Sequence, residues 1–151
     1  MKNQSAQAVP ISADDELCRG CDMCVLACSL RHTAQCAPSL ARLQVTKDVE
    51  RYHFTIRICQ QCADAACLEA CPIPGAMERD ATGVVSIVEG ECIACGRCMA
   101  ACPYEGIAHH VGLDVYLKCD LCRGREGGPL CVELCPTGAL SYRSRREANR
   151  E

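Results

Sequence analysis

Sixteen of the seventeen cysteines fall into four groups of four, and every group closes on the same C-x3-C step. The groups are Cys18, Cys21, Cys24 and Cys28; Cys59, Cys62, Cys67 and Cys71; Cys92, Cys95, Cys98 and Cys102; and Cys119, Cys122, Cys131 and Cys135. The third reads C-x2-C-x2-C-x3-C-P. Large aromatic side chains normally supply much of a core's buried area, yet this chain of 151 residues has no Trp, one Phe and four Tyr. Whatever the cysteines hold must therefore stand in for an ordinary core, with Ala, Gly, Val and Ile packed round it.

Three chemistries use cysteine at this density. Disulfides need an oxidising compartment. The opening stretch MKNQSAQAVPISADDE has no apolar region of the kind a signal peptide carries, and the cysteine count is odd. Structural zinc pairs two CxxC knuckles and leaves the third cysteine of each CxxCxxC loop without a role. Iron–sulfur chemistry uses all four positions, and C-x2-C-x2-C-x3-C-P is the bacterial run for cubane clusters. Four groups then imply four [4Fe–4S] clusters. A tight CxxCxxC loop offers three thiolates, with backbone N–H groups aimed at the sulfurs to tune the reduction potential. The fourth cysteine lies where the chain has turned away. Pro72, Pro103 and Pro136 follow it in three groups, fixing φ and offering no N–H; Ser29 follows in the first. Ligation free energy is also folding free energy, so the metal-free chain is expected to be largely unfolded.

Residues 1–16 read as a flexible or partner-docking arm, 17–142 as a single four-cluster body and 143–151 as a polar tail. Within the body, residues 40–47 (LARLQVTK) and 52–58 (YHFTIRI) alternate and carry β-branched residues, predicting a hairpin about DVER. That hairpin either shields the inner clusters or forms a subunit contact. Further short strands are expected at 83–88, in the pair IAHHV and DVYLK turning at Gly112-Leu113, and at 138–142. Helices should be short and begin within the C-x3-C steps. ECIACGRCMAACP at 91–103 echoes LCRGCDMCVLACS at 17–29, and the second and fourth groups echo each other more loosely. Duplication of a two-motif unit explains both.

The four motifs, their order and their unequal spacers resemble the four-cluster ferredoxin-like subunits of molybdenum- and tungsten-enzyme complexes. Those include the iron–sulfur subunits of dimethyl sulfoxide reductase, formate dehydrogenase and formate hydrogenlyase, and the ferredoxin partner of carbon monoxide dehydrogenase. The resemblance covers about residues 16–142. It implies an α+β fold of nested, pseudo-two-fold ferredoxin modules, the inner at about 59–102 and the outer at 17–58 plus 103–142. It also implies that motifs exchange their fourth cysteines. One cluster would take Cys18, Cys21, Cys24 and Cys135; another Cys119, Cys122, Cys131 and Cys28; a third Cys59, Cys62, Cys67 and Cys102; the last Cys92, Cys95, Cys98 and Cys71. Some relatives replace one cysteine and hold a three-iron cluster; here Cys95 and every other position is filled. The short form, with CSLRH after the first motif, looks similar to ferredoxin subunits of tungsten aldehyde oxidoreductases.

The function this implies is electron transfer without catalysis of its own. The expected neighbours are a tungsten- or molybdenum-pterin catalytic subunit and an acceptor subunit, such as a flavoprotein that reduces NAD. A free polyferredoxin shuttle is the rival, as is a subunit of a carbon monoxide dehydrogenase or formate hydrogenlyase complex. The formal charge of −3 counts cysteines as neutral; four oxidised clusters, each bringing about −2 with its thiolates, take it to about −11. No long basic run points to nucleic acid, and no apolar stretch approaches the length of a membrane span. The expected compartment is the cytoplasm, or export in company with a partner that carries a twin-Arg signal. Cys36 is left over and reads as an inert small hydrophobe. His109 and His110 read as a solvated strand-edge pair, and His32 and His53 likewise. Lys118, Arg123 and Arg125 flank the fourth motif, either opposing cluster charge there or forming ordinary surface.

Overall fold

The computed structural model describes residues 7–143. Four antiparallel two-stranded ladders and four α-helices make a mixed α and β fold of short elements. The strands are β1 (Ser12–Ala13), β2 (Gln44–Asp48), β3 (His53–Arg57), β4 (Met77–Arg79), β5 (Val85–Ile87), β6 (Ile107–His110), β7 (Val115–Lys118) and β8 (Leu140–Ser141). They pair as β2 with β3, β4 with β5 and β6 with β7, while β1 pairs with β8 across the length of the chain. The helices are α1 (Met23–Thr33), α2 (Ala66–Glu69), α3 (Arg97–Ala101) and α4 (Leu130–Glu133).

The helices begin where the spacing puts them, at or just before the third cysteine of each group. Only α1 runs on, to 11 residues. That run explains the missing proline of the first group, because Cys28 and Ser29 lie inside the helix, where proline would remove a hydrogen bond. Ser29 is fully buried. Its hydroxyl donates to the Leu26 carbonyl at 3.0 Å and accepts the Ala37 N–H at 3.1 Å.

Two cores form. In one, Ile11, Val25, Leu43, Phe54, Ile56 and Ile58 pack with cysteines of the first and fourth groups and with Cys59 of the second. In the other, Ala65, Met77, Val85, Ile107 and Tyr116 pack with cysteines of the second and third. Helix contacts follow the same division, α1 with α4 and α2 with α3.

Two expected boundaries move. Over residues 7–16 the supposed arm belongs to the body: Ile11 is fully buried, Ala8 nearly so, and the Asp14 N–H donates to the Ala139 carbonyl at 2.8 Å. Residues 1–6 lie outside the described residues, as do 144–151 of the expected polar tail. Residues 107–118, assigned to the outer module, pack on the inner core instead. The chain folds back after Pro103 and lays Ile107 and Tyr116 beside Cys98.

Candidate iron–sulfur centres

Each group's first Cys-x-x-Cys step makes the same backbone turn. The residue two after the leading cysteine takes positive φ in all four: Gly20 (63°), Gln61 (46°), Ala94 (54°) and Leu121 (58°). Only glycine adopts this conformation freely; other residues strained in this way concentrate at functional sites. The turn aims an N–H back at the sulfur. Gln61 N donates to Cys59 Sγ at 3.3 Å and Leu121 N to Cys119 Sγ at 3.4 Å. Fourth cysteines receive theirs from chain further on: Arg42 N, fourteen residues later, to Cys28 Sγ at 3.3 Å, and Gly106 N, four residues later, to Cys102 Sγ at 3.3 Å.

Three separate cavities of similar size open among the cysteines. Cys18, Cys21, Cys24 and Cys135 line one, with about 320 Å³ of unfilled space out to its mouth. Cys92, Cys95, Cys98 and Cys71 line a second of about 340 Å³. Cys59, Cys62, Cys67 and Cys102 line a third of about 350 Å³. In each, three cysteines of one group meet the last cysteine of another. The remaining four also gather, since Cys131 feels the charges of Cys28 and Cys122 and Cys119 those of Cys131 and Cys28. Cys36 is exposed and lines none of these cavities.

These thiols resist ionisation. Burial pushes Cys24 and Cys131 up to about 12 and Cys28 and Cys98 up to about 11. Cys119 goes well above the ordinary thiol range for the same reason. Burial alone would raise Cys135 too, but N–H groups of Leu140, Thr137 and Ala139 and the Thr137 hydroxyl outweigh it and lower its pKa. A buried ring of reluctant thiolates suits a group that brings its own positive charge. Metal binding here releases protons. Loading of iron and sulfide should therefore strengthen as pH rises from about 7 to about 9, because protons compete less for the sulfurs. Iron bound per chain at the two pH values checks this; a flat or falling yield contradicts it.

Gly106 packs against the backbone of Cys59, which lines the third of these cavities. A Cβ there would stand 2.7 Å from Cys59 Cα and 2.9 Å from Cys59 N, backbone atoms that cannot swing aside. Gly106→Ala should cost about 1–3 kcal/mol and deplete iron at this centre, read by thermal unfolding and iron analysis. Wild-type values for both would contradict the proposed close approach.

The other residues singled out in the sequence fall in varied places. His109 is half-buried rather than a solvated edge. It stacks on Tyr116 at 4.3 Å between ring centroids, and its Nε2 lies 3.0 Å from Asp114 Oδ1. His32 Nε2 lies 3.4 Å from Asp120 Oδ1, and burial lowers its pKa. His53 is exposed at the start of β3. Arg123 pairs with Glu78 and Asp80 and Arg125 with Glu133 beside an open cleft. The 40–58 hairpin shields the outer site, not the inner ones: Val45 and Ile56 line the Cys18 cavity. Two features were not foreseen. Lys118 is buried, and so is Gln61, whose side chain bonds Val85 N–H, Val85 O and Cys119 O.

Short ladders, paired helices and cysteine-lined cavities define a ferredoxin-like protein. Residues 50–145 match the family described as the 4Fe-4S dicluster domain, and the chain belongs to that family. It is 40% identical to the electron transport protein HydN of Escherichia coli K12, over 86% of this chain and 85% of HydN. It is 38% identical to the uncharacterized ferredoxin-like protein YdhX of E. coli O157:H7, over 85% of this chain but only 62% of that protein. Protein NrfC of E. coli K12 is 34% identical, over 91% of this chain and 66% of NrfC. Thus the chain spans less than two thirds of the length of YdhX and of NrfC, and most of HydN. Among solved structures, a chain of the active site complex BamBC of benzoyl coenzyme A reductase with benzoyl-CoA matches 89% of this chain. The match covers 78% of that chain, with 27% identity and a TM-score of 0.53. Among the described residues no helix is long and apolar enough to cross a membrane.

Proposed function

We propose that the protein is a non-catalytic electron-transfer subunit holding four [4Fe–4S] clusters on the sixteen grouped cysteines, paired in the nested scheme. The observation that carries this reading is the meeting of three cysteines of one group with the last cysteine of another round a single cavity, three times over. Residues 50–145 alone contain twelve cysteines, whereas two clusters take about eight. Zinc fits poorly. It needs sulfurs about 2.3 Å from one ion, and among the described residues no three Cys, His, Asp or Glu side chains converge so closely. A cubane holds its thiolates farther apart.

The clusters supply the one-electron chemistry; the chain supplies spacing, burial and electrostatics. The four groupings follow one another in a line. Cys24 of the first acts on Cys131 of the next, Cys59 of the third on Cys119, and Cys67 on Cys98 of the last. Each end of that line has the exposed cysteine of its quartet, Cys21 at one and Cys95 at the other. Ends that each expose a cysteine, joined by middle sites that expose none, suit passage of electrons between two docked partners. The one of these relatives named for electron transport, HydN, and the fold shared with a chain of a reductase complex point the same way. One partner would be a catalytic subunit carrying tungsten or molybdenum pterin, an aldehyde oxidoreductase in the reading favoured by the short form. The other would be an acceptor, flavin- and NAD-linked, and the compartment the cytoplasm. A subunit should co-elute with a larger chain on sizing from its native cell. Elution of the brown protein by itself would favour a free shuttle instead. Cys36→Ser should leave iron near its wild-type level; a halved content would mean that the ligand set is wrong.

A further inference from the structure

Lys118 ends β7, immediately before the first cysteine of the fourth group, yet its side chain does not serve that group. It turns into the cavity lined by Cys59, Cys62, Cys67 and Cys102. There Nζ donates to Cys59 Sγ at 3.0 Å and to the Val85 carbonyl at 2.5 Å. The residue is 3% exposed. Burying an ammonium costs several kcal/mol unless an opposite charge answers it, and lysine is almost never fully buried unpaired. Among the described residues no carboxylate lies within 4.0 Å of it, although ten such ion pairs form elsewhere. The negative charge facing it is sulfur, and the ammonium also acts on Cys67, lowering the cost of its thiolate against the dominant effect of burial.

The geometry that places Lys118 is stiff. The buried Gln61 amide grips Val85 from both sides, accepting its N–H at 2.8 Å and donating to its carbonyl at 3.2 Å. The same amide donates to the Cys119 carbonyl at 2.7 Å, tying the second cysteine group to the fourth. Val85 O, so fixed, is the second acceptor for Lys118. The other three cations near the fourth motif, Arg42, Arg123 and Arg125, are each occupied by carboxylates.

We propose that Lys118 is a potential-setting residue for the centre on Cys59, Cys62, Cys67 and Cys102, making it the most easily reduced of the two interior centres. This rests on the four-cluster reading. A fixed cation against a ligand sulfur favours the more negative, reduced state, and net charge and hydrogen bonds to sulfur are what move the potentials of such centres. An electron shared between the two interior centres would settle here, on the inner side of the junction between the two modules.

The test is a potentiometric titration of the anaerobic holoprotein followed by EPR, with iron analysis, for wild type, Lys118→Met, Lys118→Gln and Lys118→Arg. In the Met and Gln variants one couple should fall by at least a tenfold change in its one-electron equilibrium, about 59 mV. It should be the couple whose signal changes in Cys62→Ser. The Arg variant should stay near wild type. Full iron with all couples unmoved in both neutral variants overturns the proposal. So does loss of this one centre from both, since the charge would then serve assembly rather than potential. A wild-type protein without iron–sulfur signals would instead remove the underlying four-cluster reading before any variant is compared.

Discussion

Removal of iron and sulfide should leave the chain without a cooperative fold. The apolar means of holding it together are small: one Phe, no Trp, strands of two to five residues, and three of the four helices at four or five residues. Isolated helices that short are not stable in water. Seven cysteines sit within or directly against the outer core, and four more within or against the inner one, so the packing converges on sulfur. Without metal those sulfurs must stay protonated, and cavities lined by four thiols lose the group that spans them. The gain from metal–thiolate binding in small structural sites, about 10–16 kcal/mol for zinc peptides, is as large as the whole stability of a typical domain, about 5–15 kcal/mol. Far-UV circular dichroism and a thermal scan on protein stripped under anaerobic, reducing conditions should show lost structure and no transition. A metal-free chain that melts cooperatively near the holoprotein's temperature would show that the polypeptide packs without its clusters.

Cys135→Ala should abolish the centre built on the first group, Cys18, Cys21 and Cys24, far away in sequence. Iron should fall by about a quarter, one centre of four. The EPR signal that disappears should be the one lost in Cys21→Ala, not the one lost in Cys122→Ala. Cys135 lines the cavity of the first group, brought there by the β1–β8 ladder that joins the two ends of the described chain. Thr137, Ala139 and Leu140 supply its N–H donors, so the loop ending in β8 is shaped to hold this sulfur. If each group instead holds its own cluster, the Cys135→Ala spectrum will match that of Cys122→Ala, and the nested pairing is wrong.

How much of this was legible depended on where the physical signal lay. The cysteine spacing marks the turns, because a Cys-x-x-Cys step round a common centre leaves little conformational choice; Gly20 announces its positive φ, while Gln61, Ala94 and Leu121 do not. The β2–β3 hairpin showed through Val45, Phe54 and Ile56, which alternate inward. β4 did not, since Met-Glu-Arg carries no strand-like pattern and its partner β5 sets it. β1 is two small residues that become a strand only because β8 arrives beside them, so Ile11 looked like part of a loose arm. Lys118 was invisible as a buried charge: next to a loop of mixed charges (Asp120, Arg123, Arg125 and Glu126), a lysine ordinarily reaches water. Its burial depends on the β6–β7 hairpin folding back over the inner core, the same fold-back that moved the module boundary.

The central claim is metal stoichiometry. Iron and acid-labile sulfide should be counted per chain on protein prepared and kept without oxygen, together with the spin count after full reduction. About sixteen of each, with signals from four interacting centres, is the expected result. About eight of each would reduce the protein to a two-cluster ferredoxin and break the line from Cys21 to Cys95; iron near zero with zinc in its place would contradict the account altogether.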